Sequence, residues 1–302
     1  MRGILLQAIA VFCLGLSSLA PGLADARRQP FDLTRWNNDA PPSTRGVFHA
    51  TFHSRAMDLD VGFNIYLPPA YFADPRRRFP VIYFLHGRGG DENSDVAALE
   101  GLIASGTAVP CIVVFPNGGR DSKYMDAAPG SPMHGVIMSE SAIIDELIPT
   151  VDARYRTRAN RSGRAIQGFS MGGMGALRLA FKYPALFGSV YAFAPAVVTY
   201  ASNIGENDPE VLAQMFKGDA VLWEANVART QARRNAPRIR AHHLPVGLSV
   251  GAQDGLLPFV RDFAQDLARL QIPYSFEIVP KRGHVLDFGE GVIFAARYFS
   301  RR

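Results

Sequence analysis

Cysteine is nearly absent: the 302-residue chain has 2, Cys13 and Cys111. Cys13 lies in an apolar N-terminal stretch. If that stretch is removed, no intramolecular disulfide can form, which excludes a small disulfide-stapled scaffold. Cys111 opens the run Cys111-Ile112-Val113-Val114-Phe115, where a buried structural thiol is expected. Paired-cysteine zinc spacing, a P-loop and a dinucleotide-binding glycine fingerprint are all missing. The 7 histidines do not assemble a metal site either. His49 and His53 fall on an expected strand, about 13 Å apart, and the adjacent His242 and His243 point apart. The reading therefore assigns no metal and no cofactor.

Long hydrophobic runs are also lacking, apart from the uncharged segment Ile4 to Leu19. It follows Met1-Arg2 and precedes the small residues Gly22, Ala24 and Ala26, the layout of a secretory signal peptide. Cleavage is expected after Ala24 or Ala26, giving an exported, periplasmic or secreted protein with no stable membrane insertion. Cys13 sits inside the apolar stretch, which argues against a lipoprotein anchor. The net charge of +5 has no basic stripe interleaved with aromatics, so nucleic acid is not an expected partner. The clusters Arg76-Arg77-Arg78, Arg154 to Arg164 and Arg233-Arg234 read as solvated surface charge able to touch anionic envelope material.

What is present is a regular alternation. After the signal segment (1–24) and an extended lead-in (25–45), a single domain is expected over 46–302. Residues 47–52 and 61–67 suggest an antiparallel start. Apolar runs at 81–85, 112–115, 164–169, 189–193, 246–250 and 274–279 fit inner strands of a mostly parallel sheet. Helical stretches fall between them, at 96–105, 141–153, 171–183, 258–270 and 288–298. Strand alternating with helix predicts an α/β fold with helices on both faces of the sheet. Residues 197–243 break the alternation and read as a functional insertion. Val197, Val198, Tyr200, Met215, Phe216 and Trp223 are candidates to line an acyl pocket or simply to pack beneath a lid.

Gly168-Phe169-Ser170-Met171-Gly172 matches G-x-S-x-G, with an apolar strand before it and a helix after it. That context marks a nucleophile elbow, a sharp turn that exposes the serine hydroxyl. Serine needs a base, and the base needs an orienting acid. In the strand–turn–helix setting the chain order is serine, acid, histidine, which selects His284 after the last strand. Asp254, directly after the 246–250 strand, is the expected acid, although it also suits a helix N-cap. Asp287 is the rival, and it reads as the cap of the final helix. The oxyanion is expected to meet the backbone amides of Met171 and of Arg88, in the glycine-rich stretch His86-Gly87-Arg88-Gly89-Gly90. The Arg88 side chain is free to face solvent or an anionic substrate, and His86 is expected to hold its loop rather than act as a second base.

Tyr83-Phe84-Leu85-His86-Gly87, Asp145-Glu146-Leu147-Ile148-Pro149, the Ser170 block, Ala180-Phe181-Lys182-Tyr183-Pro184 and the late Gly283-His284 pair resemble the esterase D-like family. That group includes feruloyl and acetylxylan esterases, S-formylglutathione hydrolases, enterochelin esterases and mycolyltransferases. The resemblance spans roughly 46–299. It implies an α/β-hydrolase fold, a triad of Ser170, Asp254 and His284, and an oxyanion hole at Arg88 and Met171. The Leu-Thr-Cys stretch of S-formylglutathione hydrolases is replaced by Arg88-Gly89-Gly90. The expected activity is hydrolysis of a small-molecule or glycan ester. Acyl transfer to a sugar hydroxyl through the same triad, and a non-catalytic binding role on the same fold, are the alternatives.

Overall fold

A computed structural model describes residues 32–40, 42–106, 109–198 and 209–299. The expected signal segment, 1–24, and Tyr200 lie outside the described residues. The described residues form one compact unit, and its centre is an eight-stranded sheet of order β1-β2-β4-β3-β5-β6-β7-β8. The strands are β1 (Val47–Ser54), β2 (Leu59–Tyr66), β3 (Val81–Leu85), β4 (Ile112–Pro116), β5 (Arg164–Phe169), β6 (Ser189–Phe193), β7 (Val246–Gly251) and β8 (Tyr274–Val279). β1 pairs with β2, and β2 with β4, antiparallel. Every other pairing is parallel.

The sequence pattern explains this arrangement. Val81–Leu85 and Ile112–Pro116 are buried at every position, as strands covered on both faces must be. β8 is only half-buried, and as the last strand it closes the sheet as an edge. Two apolar clusters cover the two faces. One holds Tyr83, Leu85, Ile166, Leu177 and Phe263. The other holds Ile82, Phe84, Phe193, Phe288 and Ala295. Alternate residues of β3 thus feed opposite layers. Cys111 is buried in the second layer, and burial pushes its thiol up to about 12.

The helices begin with α1 (Pro69–Ala73) and α2 (Val96–Ala104). α3 occupies residues 139–154 and contains a π-helical segment at Ala142–Leu147. α4 (Met171–Lys182) follows the elbow. The insertion folds as α5 (Pro209–Phe216), α6 (Ala220–Asn226) and α7 (Ala228–Ala241). α8 (Leu257–Arg269) and α9 (Phe288–Tyr298) complete the layers. No described helix is long and apolar enough to cross a membrane.

The lead-in is less loose than its composition suggests. Trp36 is buried, and its carbonyl accepts the Gly62 N–H at 2.8 Å. The Asn38 N–H donates to Glu92 at 2.6 Å. One buried indole offsets the cost of ordering the polar residues around it.

Candidate active site

The sheet places four loops at one end, because β3, β5, β7 and β8 run parallel and each ends there. Loops at the carboxyl ends of parallel strands are where such folds assemble sites.

Ser170 joins β5 to α4 with φ 58° and ψ −116°. A side-chain-bearing residue holds that conformation at a cost of about 1–3 kcal/mol, and only when its surroundings over-determine it. Here they do. The Ser170 N–H donates to Phe193 O at 2.8 Å, and its carbonyl accepts from Met174 at 3.1 Å and Ala196 at 3.0 Å. The turn also needs Gly172, since a Cβ there would lie 1.9 Å from the Leu85 carbonyl oxygen. The backbone of β3 therefore runs directly against the start of α4. Met171 is the first residue of α4, so its N–H lies outside the intrahelical ladder and can serve an external acceptor.

Asp254 and His284 come together across the ends of β7 and β8. His284 Nδ1 lies 2.8 Å from Asp254 Oδ2. An ionised carboxylate only accepts, so Nδ1 donates in this bond, and in the neutral ring that leaves the lone pair on Nε2. The other oxygen, Oδ1, accepts the Leu256 N–H at 2.9 Å. Asp254 thus engages the ring with one oxygen and the Leu256 N–H with the other, while the helix Leu257–Arg269 has Leu256 at its N-cap and no side-chain cap bond. Asp287 stands at the N-cap of α9 with no side-chain cap bond, and it makes no hydrogen bond to His284. The His284 loop is anchored by the Gln253 N–H donating to Arg282 O at 2.8 Å. It also lies against Gly251, where a Cβ would fall 2.2 Å from two carbonyl oxygens of that loop. The imidazole reaches the elbow through Phe169, the neighbour of Ser170. Their ring centroids are 4.6 Å apart at a tilt of 36°.

The loop after β3 approaches from the other side. A Cβ on Gly87 would be 3.6 Å from the Ser170 Cβ, which brings the adjoining Arg88 backbone beside the elbow. The Arg88 side chain departs from expectation. Instead of facing solvent or a substrate, its Nε donates to the fully buried Asp121 at 2.9 Å. Asp121 also pairs with the buried Lys123. Burying a carboxylate requires such partners, and these two supply them.

His86 makes the bonds of a fixed neutral ring. Nδ1 faces the Gly87 carbonyl at 2.8 Å, and Nε2 accepts the Gly118 N–H at 3.1 Å. Burial pulls its pKa down to about 4, and both ring nitrogens are occupied, so it is not a base. The Tyr124 hydroxyl donates to the His86 carbonyl at 2.9 Å, and the Gly89 N–H donates to Arg120 O at 2.6 Å. Residues 117–124 therefore clamp the loop after β3. Sequence reasoning missed this segment, although Asn117-Gly118-Gly119, directly after a buried strand, was a usable signal.

Beneath α4 the Arg178 guanidinium is fully buried. It donates to the Asn226 carbonyl at 2.7 Å, to the Tyr124 carbonyl at 3.0 Å, and to Glu140. Burial raises the Glu140 carboxyl, but Arg178, Lys182 and Tyr183 outweigh it and hold the group below the usual range. This network ties the elbow helix to α3 and to the insertion.

Among the pocket candidates, Val197 and Val198 line a cavity of ≈30 Å³ with Met174 and Val227. Met215, Phe216 and Trp223 are wholly packed in the core instead. Phe216 and Trp223 meet edge-on at 5.8 Å, and this aromatic packing leaves them no open face. His49 faces Asn64 at 3.1 Å and His53 faces Asp60 at 3.2 Å, each at its own place along β1.

A family model described as "Putative esterase" matches residues 54–284. The curated protein Esterase Rv1288 of Mycobacterium tuberculosis is 30% identical over 260 residues. That alignment covers 79% of this chain and 56% of the relative, so the chain spans little more than half of its length. An endo-1,4-beta-xylanase/feruloyl esterase of Xylanibacter ruminicola is 34% identical over 152 residues, covering 47% of this chain and 20% of that protein. Among solved structures, an S-formylglutathione hydrolase from Agrobacterium tumefaciens superposes with a TM-score of 0.70 at 20% identity, covering 87% of this chain and 99% of that one. At that identity the likeness speaks for the α/β-hydrolase fold.

Proposed function

The chain belongs to the esterase family, and from that premise we propose that it is an exported serine esterase cleaving small-molecule or glycan esters through an acyl-enzyme. Ser170 is the nucleophile, His284 the base and Asp254 the orienting acid. In the first half-reaction His284 Nε2 takes the Ser170 proton as Oγ bonds to the acyl carbon. The carbonyl electrons move to oxygen, where the Met171 and Arg88 amides receive the charge. The intermediate collapses, the alkoxy bond breaks, and His284 returns the proton to the leaving alcohol. Water then repeats the sequence and releases the carboxylic acid.

The observation that carries this reading is the 2.8 Å contact between His284 and Asp254 on loops that also reach Phe169 at the elbow. The chemistry needs no metal or cofactor, because the charge develops on one oxygen and two amides can meet it. The similarity to the xylanase/feruloyl esterase of Xylanibacter ruminicola supports an aromatic acyl group. Export rests on the N-terminal pattern, with residues 1–24 as signal, 25–45 as lead-in and 46–302 as the catalytic domain.

The test is a screen of p-nitrophenyl esters of increasing chain length, together with feruloyl and acetyl-sugar esters. The parent and Ser170→Ala are compared, with and without acceptor sugars. Turnover in the parent and none in the variant is expected. Persistent activity in the variant would remove Ser170 from the mechanism, and acyl appearing on sugar rather than in water would reassign the reaction to transfer.

A further inference from the structure

The end of the sheet opposite Ser170 carries a feature with no part in ester cleavage. Tyr66 at the end of β2 pairs with Val113 at the start of β4, so the amino ends of the parallel strands lie here. An open groove of ≈490 Å³ is formed by Gly46, Phe48, Tyr66, Leu67, Phe72 and Ile103, with Arg45 at its wall. Phe48 is 47% exposed and Phe72 62% exposed, and their ring centroids are 6.2 Å apart. Two large apolar rings standing side by side in water are costly unless something covers them.

Cations lie in the groove wall and on the rings and segment next to Phe72. Phe72 belongs to α1, and the exposed Arg76, Arg77 and Arg78 follow after Asp74 and Pro75. Tyr71 meets Phe72 edge-on at 5.6 Å, and the Arg156 guanidinium lies 3.7 Å above the Tyr71 ring. The Arg77 guanidinium lies 4.8 Å from the Phe79 ring, which in turn packs on Tyr71 at 5.6 Å. Among the described residues, the side chains of Arg45 and Arg76 have no hydrogen bond or ion pair. The carboxylates close by are Asp74, which accepts the Arg76 N–H at 3.0 Å, and Glu100, which accepts the Thr44 hydroxyl at 3.2 Å. Positive charge dominates the patch.

We propose that this face is a peripheral docking surface for an anionic lipid bilayer. Phe48 and Phe72 enter the interface between headgroups and acyl chains, and the surrounding arginines meet lipid phosphates. Charge complementarity selects an anionic surface over a neutral one, and the exposed rings select a lipid over a soluble polyanion. Docked this way, the protein turns Ser170 away from the membrane toward water. The inference is independent of the chemistry at Ser170, because neither the groove nor the arginines belong to that site.

The experiment is vesicle co-sedimentation of the purified protein, using phosphatidylcholine vesicles with and without phosphatidylglycerol. The parent is expected to sediment with the phosphatidylglycerol vesicles and to be released by high salt. Arg76→Gln/Arg77→Gln/Arg78→Gln should weaken partitioning on the order of 100-fold. Phe48→Ser/Phe72→Ser should weaken it about tenfold or more. Circular dichroism and turnover of a soluble ester should be unchanged in both variants. Failure of the parent to sediment, equal binding to neutral vesicles, or undiminished binding in the folded variants would overturn the proposal. Release by a soluble anionic polysaccharide from both the parent and Phe48→Ser/Phe72→Ser, with equal affinity, would assign the arginines to a glycan and overturn it as well.

Discussion

Asp254 and His284 face each other at 2.8 Å, with the carboxylate side chain 2% exposed and the imidazole 40% exposed. The carboxylate is thus fixed in the protein while the ring keeps an exposed edge. A buried carboxylate holding one nitrogen of a half-exposed imidazole sets which nitrogen is left to take a proton.

Replacing Asp254 with asparagine should lower kcat by about 10³–10⁴-fold, since an amide no longer imposes the tautomer that leaves Nε2 free. KM for a p-nitrophenyl ester should change little. Asp287→Asn, three residues from His284 but not bonded to it, should stay within about twofold of the parent. Steady-state kinetics on the two variants distinguishes the acid from its rival.

Gly172→Ala should fail to reach the native state or lose about 4 kcal/mol or more, because the new methyl would lie 1.9 Å from the Leu85 carbonyl oxygen and 2.6 Å from that of His86. Gly255→Ala, in the neighbouring Asp254 loop, has nothing within 4 Å and should be near neutral. Thermal melts of the pair separate a close approach that the elbow requires from a general intolerance of the loops.

Asp121→Asn should reduce kcat about 10–100-fold with KM nearly unchanged. The carboxylate positions the Arg88 loop without reaching the ester. The same change removes the buried charge that Arg88 and Lys123 share, costing about 3–5 kcal/mol. Adding Lys123→Met should restore part of the stability but not the rate. Parallel recovery of both would make the role merely structural.

Asp95 gives a pH test of the fold. One carboxylate oxygen is buried without a partner, and burial pushes the group up to about 7. The folded state keeps this proton after the unfolded chain has released it. Stability therefore falls as pH rises from about 4 to about 7 and levels off above. Asp95→Asn removes that loss, so the variant should exceed the parent by about 4 kcal/mol at pH 8 and by little at pH 4. Urea titrations at the two values measure the difference.

The sheet was legible because each inner strand is a short apolar run, and Ser170 because its glycines mark a turn that few other structures need. Chain order alone singled out His284, which the structure brings to Asp254. Asp254 remained divided between two readings, since only geometry shows that one oxygen meets His284 and the other the Leu256 N–H. The Arg88 side chain was misread because Asp121 lies 33 positions away, and no local pattern joins them. Met215, Phe216 and Trp223 look the same in sequence whether they line a pocket or fill a core. Trp36 likewise sits in polar surroundings that conceal its burial.

The central claim is that Ser170 is the activated nucleophile, and covalent trapping tests it most directly. The protein is treated with a fluorophosphonate, and the adduct is located by peptide mass spectrometry in the parent, Ser170→Ala and His284→Ala. A single adduct on Ser170, absent from the first variant and formed at least about 10³-fold more slowly in the second, is the predicted result. An adduct on another residue, or labelling of Ser170 at an undiminished rate without His284, would contradict the account.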